Sequence, residues 1–464
     1  MEALSKIISQ LSGFVWGLPM ILLLLGGGLF LTARLGFFQF KYFPHIISQT
    51  FGKIFSKSDA PGSVTPFQAT TSALASTMGA ANIVGVPVAI TLGGPGAIFW
   101  MWLVALIGMA TKYSEVVLGI RYRAKNKNNE WVGGPMYYIE KGLGWKRVAT
   151  FFAFALMIEI IASMMVQANS VATTVESSFG ISPLVTGLVV MALVGLVVLG
   201  GIKTIGKVSE KLIPTMVILY LVSALIVLGV NVAEIPAAFG LIFKYAFAPI
   251  SAVGGFAGAG VAMAIRWGLA RGMYSNEAGM GTAPIAHSAA KTEHPSKQGF
   301  WGVFEVIVDT LIVCTMTALV ILTSGVWKEA GTNDPSAMVA AAFAKVFGDS
   351  IAGSIVSIAL FFFVFTTLIV IVYYGEKQAE YLFGTVFSKV MRGVYIVSIV
   401  VGSIGGLKFI WQFLDLLLAG IVIPNVIAVV FLSKQVREIT DDYFQNFYKQ
   451  SRGKQSKDKV NEIS

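Results

Sequence analysis

Ser72 to Pro87 reads S-A-L-A-S-T-M-G-A-A-N-I-V-G-V-P and lies inside an apolar run that begins near Pro66 and ends near Leu92. The run is long enough to cross a bilayer, yet its centre is a poor helix. Gly79, Asn82, Gly85 and Pro87 lower helix propensity, and the hydroxyls of Ser76 and Thr77 compete for backbone hydrogen bonds. A break between Thr77 and Asn82 is therefore expected. Broken backbone at membrane depth survives only where it lines a cavity or is buried in protein, because lipid cannot satisfy freed N–H and C=O groups. The break is thus a candidate site. Its free N–H groups, with the positive end of a half-helix behind them, suit an anion, and the freed carbonyls on the other side suit a small cation. One interruption can in this way bind an amino-acid carboxylate and a sodium ion together. The plainer reading is a glycine-rich helix packed tightly against its neighbours.

The surrounding chain sets the medium. Of 464 residues, 56% are hydrophobic and 12% charged, with a mean hydropathy of +0.76. A soluble domain carries about 25% charged residues, so this is an integral membrane protein. The net charge of +10 does not point to nucleic acid, because Lys and Arg fall mostly in short loops between apolar runs, where they orient helices. The single Cys314 lies in an apolar run, so no disulfide framework, zinc site or haem motif can be built on it. The start, M-E-A-L-S-K, is not followed by a small-residue cleavage site, and no cleaved signal peptide is expected.

Apolar runs near 13–33, 66–92, 96–120, 148–178, 182–201, 212–230, 251–270, 299–325, 350–375, 393–406 and 409–433 predict an all-α protein with about eleven spanning helices. Residues 338–348 read as a helix outside the membrane. Arg34, Lys41, Lys53 and Lys57, the basic residues from Arg121 to Arg147, Lys203, Lys207, Lys211, Arg271, Lys291, Lys297, Lys377, Lys389, Arg392 and those from Lys434 to Lys459 fall on one side. Lys6, Lys244, Lys328, Lys345 and Lys408 fall on the other. The positive-inside rule then puts the N-terminus outside and the C-terminus in the cytoplasm of a plasma (inner) membrane protein. The polar tail after Ser433 reads as solvated and partly disordered.

The run from Gly254 to Pro284 is a second glycine-rich segment, with Arg266 beside Trp267 inside it, and a break is expected between Met263 and Gly272. The two interrupted runs lie five helices apart, so they open two five-helix halves of opposite orientation. Matched interruptions in inverted halves point to a midplane site in secondary transporters. The implied organisation is an extra helix and loop over 1–65, a first repeat over 66–250, a second over 251–433 and a tail over 434–464.

Thr366 and Thr367 form a hydroxyl pair suited to a hard cation, although a membrane threonine more often bonds its own helix backbone. Gln167 and Asn169 are amides that lipid would penalise, so each faces a helix or a polar cavity. Lys112 and Glu115 can neutralise each other at i, i+3. Glu305 and Asp309, at i, i+4, either relay protons or pair with a basic partner. Ser275 to Gly279 reads as a helix cap. His45, His287 and His294 read as loop residues, too scattered for a metal. Gly93-Gly94-Pro95-Gly96 and Gly133-Gly134-Pro135 are turns rather than phosphate loops, since no Lys-Ser/Thr follows them.

Four stretches carry a resemblance: Thr77 to Gly85, Gly93 to Trp102, Gly133 to Gly142 (GGPMYYIEKG) and above all Ala270 to Ala290 (ARGMYSNEAGMGTAPIAHSAA). With them the chain resembles the alanine or glycine:cation symporters, a family of the amino acid-polyamine-cation superfamily with the LeuT fold. The resemblance implies a ten-helix core of 5+5 inverted repeats behind one extra N-terminal helix. It implies no enzymatic activity, no cofactor, and Na+ as coupling ion for import of a small neutral amino acid. The sodium shell would be the carbonyls of Ala75, Met78 and Phe363 with the hydroxyls of Thr366 and Thr367. The substrate carboxylate would meet the N–H groups of Gly79, Ala80 and Ala81, with Thr77 and Gln167 or Asn169 beside it, and Met263, Ala264 and Trp267 would wall the pocket. Proton coupling through Glu305 or Asp309 is the rival within this class, and a membrane-embedded enzyme the rival outside it.

Overall fold

The capping of the first interrupted helix shows how the sequence starts and stops it. Pro66 occupies the first turn, Thr65 accepts the Gln68 N–H and Gln68 returns a bond to the Thr65 N–H, a complete capping box. The helix runs to Thr77, and the chain bends by 46° before resuming at Ala81. Five π-helical residues, Ala81–Gly85, lead into the next α-helix.

The computed structural model describes residues 11–56, 59–249, 260–329, 337–405 and 408–449. In chain order, α1 (Leu18–Arg34) precedes the interrupted pair α2 (Pro66–Thr77) and α3 (Val86–Gly93). Next come α4 (Ala97–Arg121), α5 (Lys146–Phe179), α6 (Pro183–Val198), α7 (Gly201–Val230) and α8 (Ile235–Phe247). The second interrupted pair is α9 (Val261–Asn276) and α10 (Ala283–His287). Then α11 (Pro295–Val306) passes through the π-helix Ile307–Cys314 into α12 (Thr315–Ser324), followed by α13 (Ala337–Phe347), α14 (Asp349–Phe383), α15 (Thr385–Ile404), α16 (Lys408–Phe431) and α17 (Ser433–Asp442).

Eight helices among the described residues are long and apolar enough to cross a membrane, nine if α2 and α3 with their break count as one span. Each of the eleven apolar runs meets a helix or an interrupted pair, although residues 250–259, which hold most of the early part of the seventh run, lie outside the described residues. The tenth run, read as 393–406, begins earlier, at Thr385. Lys389 and Arg392 interrupt its hydropathy, and Arg392 is accommodated by a two-pronged ion pair with Glu376 of α14. The helix α8 was not anticipated from the sequence.

The helix α4 is the axis of the packing. In its most apolar window 89% of residues are buried, against 28% for the first span, Leu11–Arg34, so α4 is surrounded by protein and the first span is peripheral. It packs along α9 and α11, while α5 packs along α14, α15 and α16. The two interrupted pairs run antiparallel: α9 lies along α3, and α10 lies along α2.

Two expectations are corrected here. The segment 263–272 is unbroken helix within α9, and the second interruption lies at 277–282. The tail is ordered as far as Lys449: α17 and a π-turn over Tyr443–Phe447 pack back on the body. Tyr113 and Thr440 share a hydrogen bond of 2.9 Å, and Tyr42 stacks on Phe444 at 3.9 Å. Residues 450–464 of the expected tail lie outside the described residues.

Candidate functional site

At the first break the Gly79 N–H closes a tight turn on the Thr77 carbonyl at 3.0 Å. The Ala80 N–H is held more weakly, by Gln167 Oε1 at 3.4 Å. A Cβ on residue 79 would sit 2.8 Å from Thr367 Oγ1 and 3.1 Å from Gln167 Nε2, so only glycine lets α14 and α5 approach the break this closely. Asn82, fully buried, donates to Asp309 Oδ1 at 2.7 Å, and Ser275 donates to Asp309 Oδ2 at 2.7 Å. These bonds pin the π-helical exit of the break to α9 and to the π-helix of the α11–α12 segment.

The second break is made by backbone conformation. Glu277 stands at φ 54°, Gly279 at 99° and Gly281 at 77°, three left-handed residues in five that no α-helix can absorb. Side chains claim several of its freed groups. Glu115 Oε1 accepts from the N–H groups of Gly279 and Gly281, both at 3.1 Å, and Asn425 donates to the Gly279 carbonyl at 2.8 Å. Lys112 donates to the Asn276 carbonyl at 2.9 Å. Ser275 to Gly279, read as a terminal cap, is therefore the interruption itself.

Between the breaks lies a narrow polar cavity lined by Ser76, Thr77, Ala81, Glu159, Ile160, Ser163, Gln167, Tyr274, Glu277, Met280, Thr282, Thr367, Ile371 and Tyr374. Of the residues anticipated for the substrate, Thr77, Ala81 and Gln167 line it, and Gly79 and Ala80 adjoin it through Gln167. Asn169 faces away and donates to the carbonyls of Gly402 and Gly405 in and beyond α15. Met263 and Ala264 are not among the lining residues. Trp267 borders a separate cavity with Trp16, Arg266, Arg271 and Asp415. The cause is the position of the break: with helix continuous through 263–272, the cavity is met two turns later, at Tyr274 and Glu277.

Of the anticipated cation ligands, three come together. Thr367 Oγ1 reaches the Ala75 carbonyl at 2.8 Å and the Phe363 carbonyl at 2.9 Å. Thr366 bonds Phe362 and Phe363 carbonyls, both at 2.9 Å, and faces Met216 of α7. Met78 ends α2 with a non-helical ψ of 72°. Glu305 pairs with His287 and, at 3.6 Å, with Lys112, whereas Asp309 bonds Asn82, Ser275 and Thr310. The two carboxylates share no direct hydrogen bond but are linked in one network through Lys112, Asn276 and Thr310. His287 is fully buried rather than in an open loop.

An interrupted helix pair around a polar cavity invites comparison with known transporters. A family model described as the sodium:alanine symporter family matches residues 1–459. This chain belongs to the sodium:alanine symporter family. That is a family of transporters and not of enzymes. Among similar proteins, an uncharacterized transporter of Bacillus subtilis, YflA, is 52% identical over 96% of this chain and 94% of its own length. The sodium/alanine symporter AgcS of Methanococcus maripaludis is 42% identical over 92% of this chain and 94% of its own. The fold is that of the LeuT-type transporters: a solved structure of MhsT in complex with L-phenylalanine aligns with a TM-score of 0.55 at 15% identity, covering 82% of this chain and 89% of that one.

In this symporter the lining residues that sequence reasoning missed are Glu159, Ser163, Tyr274, Thr282 and Tyr374, while Ser76 was read only as weakening the helix and Glu277 only as part of a helix cap. A signal was available for one of them. Glu277 stands in the family stretch at the only acidic position between Ala270 and Ala290, and an acid amid glycines at membrane depth reads as a site residue.

Proposed function

We propose that the chain is a sodium-coupled symporter that imports a small neutral amino acid, alanine, glycine or one of similar size, by alternating access. The observation that carries this is the meeting of three hard oxygens at the first break: the Thr367 hydroxyl with the carbonyls of Ala75 and Phe363, beside a cavity flanked by both interruptions. Oxygen ligands without a carboxylate suit a monovalent hard ion. Antiparallel packing of the interrupted pairs supports the 5+5 inverted repeat, with 66–250 and 251–433 as its halves and 1–65 as an added element. Rocking of one bundle against the other then exposes the site to each side in turn. The distribution of Lys and Arg supports a plasma-membrane protein with the N-terminus outside and the C-terminus in the cytoplasm.

Proton coupling stands as the second reading because two buried carboxylates, Glu159 and Glu277, line the cavity. Uptake of labelled alanine into proteoliposomes separates the two. A sodium gradient drives accumulation and a proton gradient alone does not; full accumulation in sodium-free buffer at acid pH overturns the sodium reading.

A further inference from the structure

The cavity between the breaks carries formal charge of one sign. Glu159 and Glu277 are 3% and 7% exposed, and none of the other lining side chains is cationic. One oxygen of each is engaged. Ser163 donates to Glu159 Oε1, and Ser76 and Thr282 donate to Glu277 Oε2 at 3.2 and 2.5 Å. Among the described residues, Glu159 Oε2 and Glu277 Oε1 have no hydrogen-bond partner. Lys112 is turned to the Asn276 carbonyl and Glu305. On the facing wall, Gln167 uses its Oε1 on Ala80, and its Nε2 has no acceptor among the described residues.

A buried carboxylate oxygen is costly without a donor, and two carboxylates in one cavity repel. The group that completes this wall therefore brings positive charge together with N–H donors. A sodium ion brings charge but donates nothing, and its oxygens are at Ala75, Phe363 and Thr367. An ammonium group brings one charge and three donors. We propose that the α-ammonium group of the transported amino acid is held by the free carboxylate oxygens of Glu159 and Glu277, while its carboxylate is turned to Gln167 Nε2 and the Ala80 N–H. The site then reads the zwitterion from both ends. It rejects a hydroxy acid of the same size, because replacing ammonium by hydroxyl leaves one carboxylate unpaired and adds a net negative charge beside two others. This rests on the symporter reading above and names the determinant of its substrate class.

The test uses the full-length protein in proteoliposomes with labelled alanine, competed by unlabelled alanine, L-lactate and propionate. In the parent, lactate and propionate at a hundredfold excess over alanine leave uptake intact. Glu277→Gln and Glu159→Gln each raise the KM for alanine by about tenfold to a hundredfold, the worth of a charged hydrogen bond, and narrow the alanine-to-lactate ratio by a similar factor; Glu277→Asp recovers part of the loss. Two results overturn the proposal. One is competition by lactate within threefold of alanine in the parent, which needs no variant to fold. The other is a variant whose sodium half-saturation moves while its alanine-to-lactate ratio does not, which would make the carboxylates ion ligands. Failure of sodium coupling itself is read separately, from alanine counterflow in the parent with and without sodium.

Discussion

Thr366 and Thr367 show how one residue step on a helix separates two roles. Neighbours on α14 point about 100° apart, so Thr367 meets the first break while Thr366 meets Met216. Thr367→Val removes the hydroxyl that reaches Ala75 and Phe363 and puts a methyl among carbonyls. We expect the sodium half-saturation to rise by about tenfold, from loss of a contact worth roughly 1–2 kcal/mol. Thr366→Val removes bonds to its own helix and a weak contact to Met216, none of them at the break, and is expected to change sodium dependence by less than threefold. Sodium titration of alanine uptake in both variants checks this, and equal effects would place the ion elsewhere on α14.

At the scale of elements, irregular backbone is stabilised by side chains brought from other helices. Glu115 satisfies two N–H groups of the second break at once. Glu115→Ala leaves both buried and unpaired, at about 1–3 kcal/mol each. A lower thermal midpoint of the detergent-solubilised protein is expected, and an unchanged midpoint would show that water replaces the carboxylate. Docking of α17 depends on His294, which caps α11 by accepting the Ser296 N–H on Nδ1 at 3.1 Å and faces Asp442 through Nε2 at 3.2 Å. Burial holds this imidazole below its usual range, and hydrogen bonds from Asn446 and His294 hold the Asp442 carboxylate below its own. Each group binds a proton more readily once undocked: the His294 contribution is fully present above the ordinary imidazole pKa of about 6.5 and is lost as pH falls below it, whereas that of Asp442 persists down to the carboxylate range. Protonation at Nδ1 also removes the cap, worth about 1 kcal/mol. Amide exchange over 433–449 is expected to quicken, after correction for intrinsic rates, between pH 8 and 5.5; constant protection would show that the aromatic contacts alone hold the helix.

For the whole molecule, the proposed sharing of one cavity by ion and substrate predicts that they bind cooperatively, each ordering the break the other needs. Sodium chloride is expected to raise the thermal midpoint above that in choline chloride at equal ionic strength. Alanine is expected to add a further rise only when sodium is present. Ligand at a hundred times its Kd contributes about 2.7 kcal/mol to stability, enough to read by intrinsic fluorescence. A rise with alanine that is indifferent to sodium would separate the two sites.

The membrane class, the helix runs and the first break are legible along the chain because each is set by local chemistry. Hydropathy over about 20 residues answers to the bilayer, and Gly79, Asn82, Gly85 and Pro87 concentrate their helix-breaking effect within one turn or two. The second break is not legible in that way. Glycines are spread from Gly254 to Gly281, so local propensity offers many stopping points of nearly equal cost. The choice falls at 277–282 because Lys112, Glu115 and Asn425, from helices remote in sequence, converge there on the freed carbonyls and N–H groups. The same holds for the amides and the carboxylates: Gln167 and Asn169 are two residues apart, yet packing turns one to the cavity and the other to α15. Propensity is a property of a segment, whereas the satisfaction of buried polar groups is a property of the neighbours that folding brings to them.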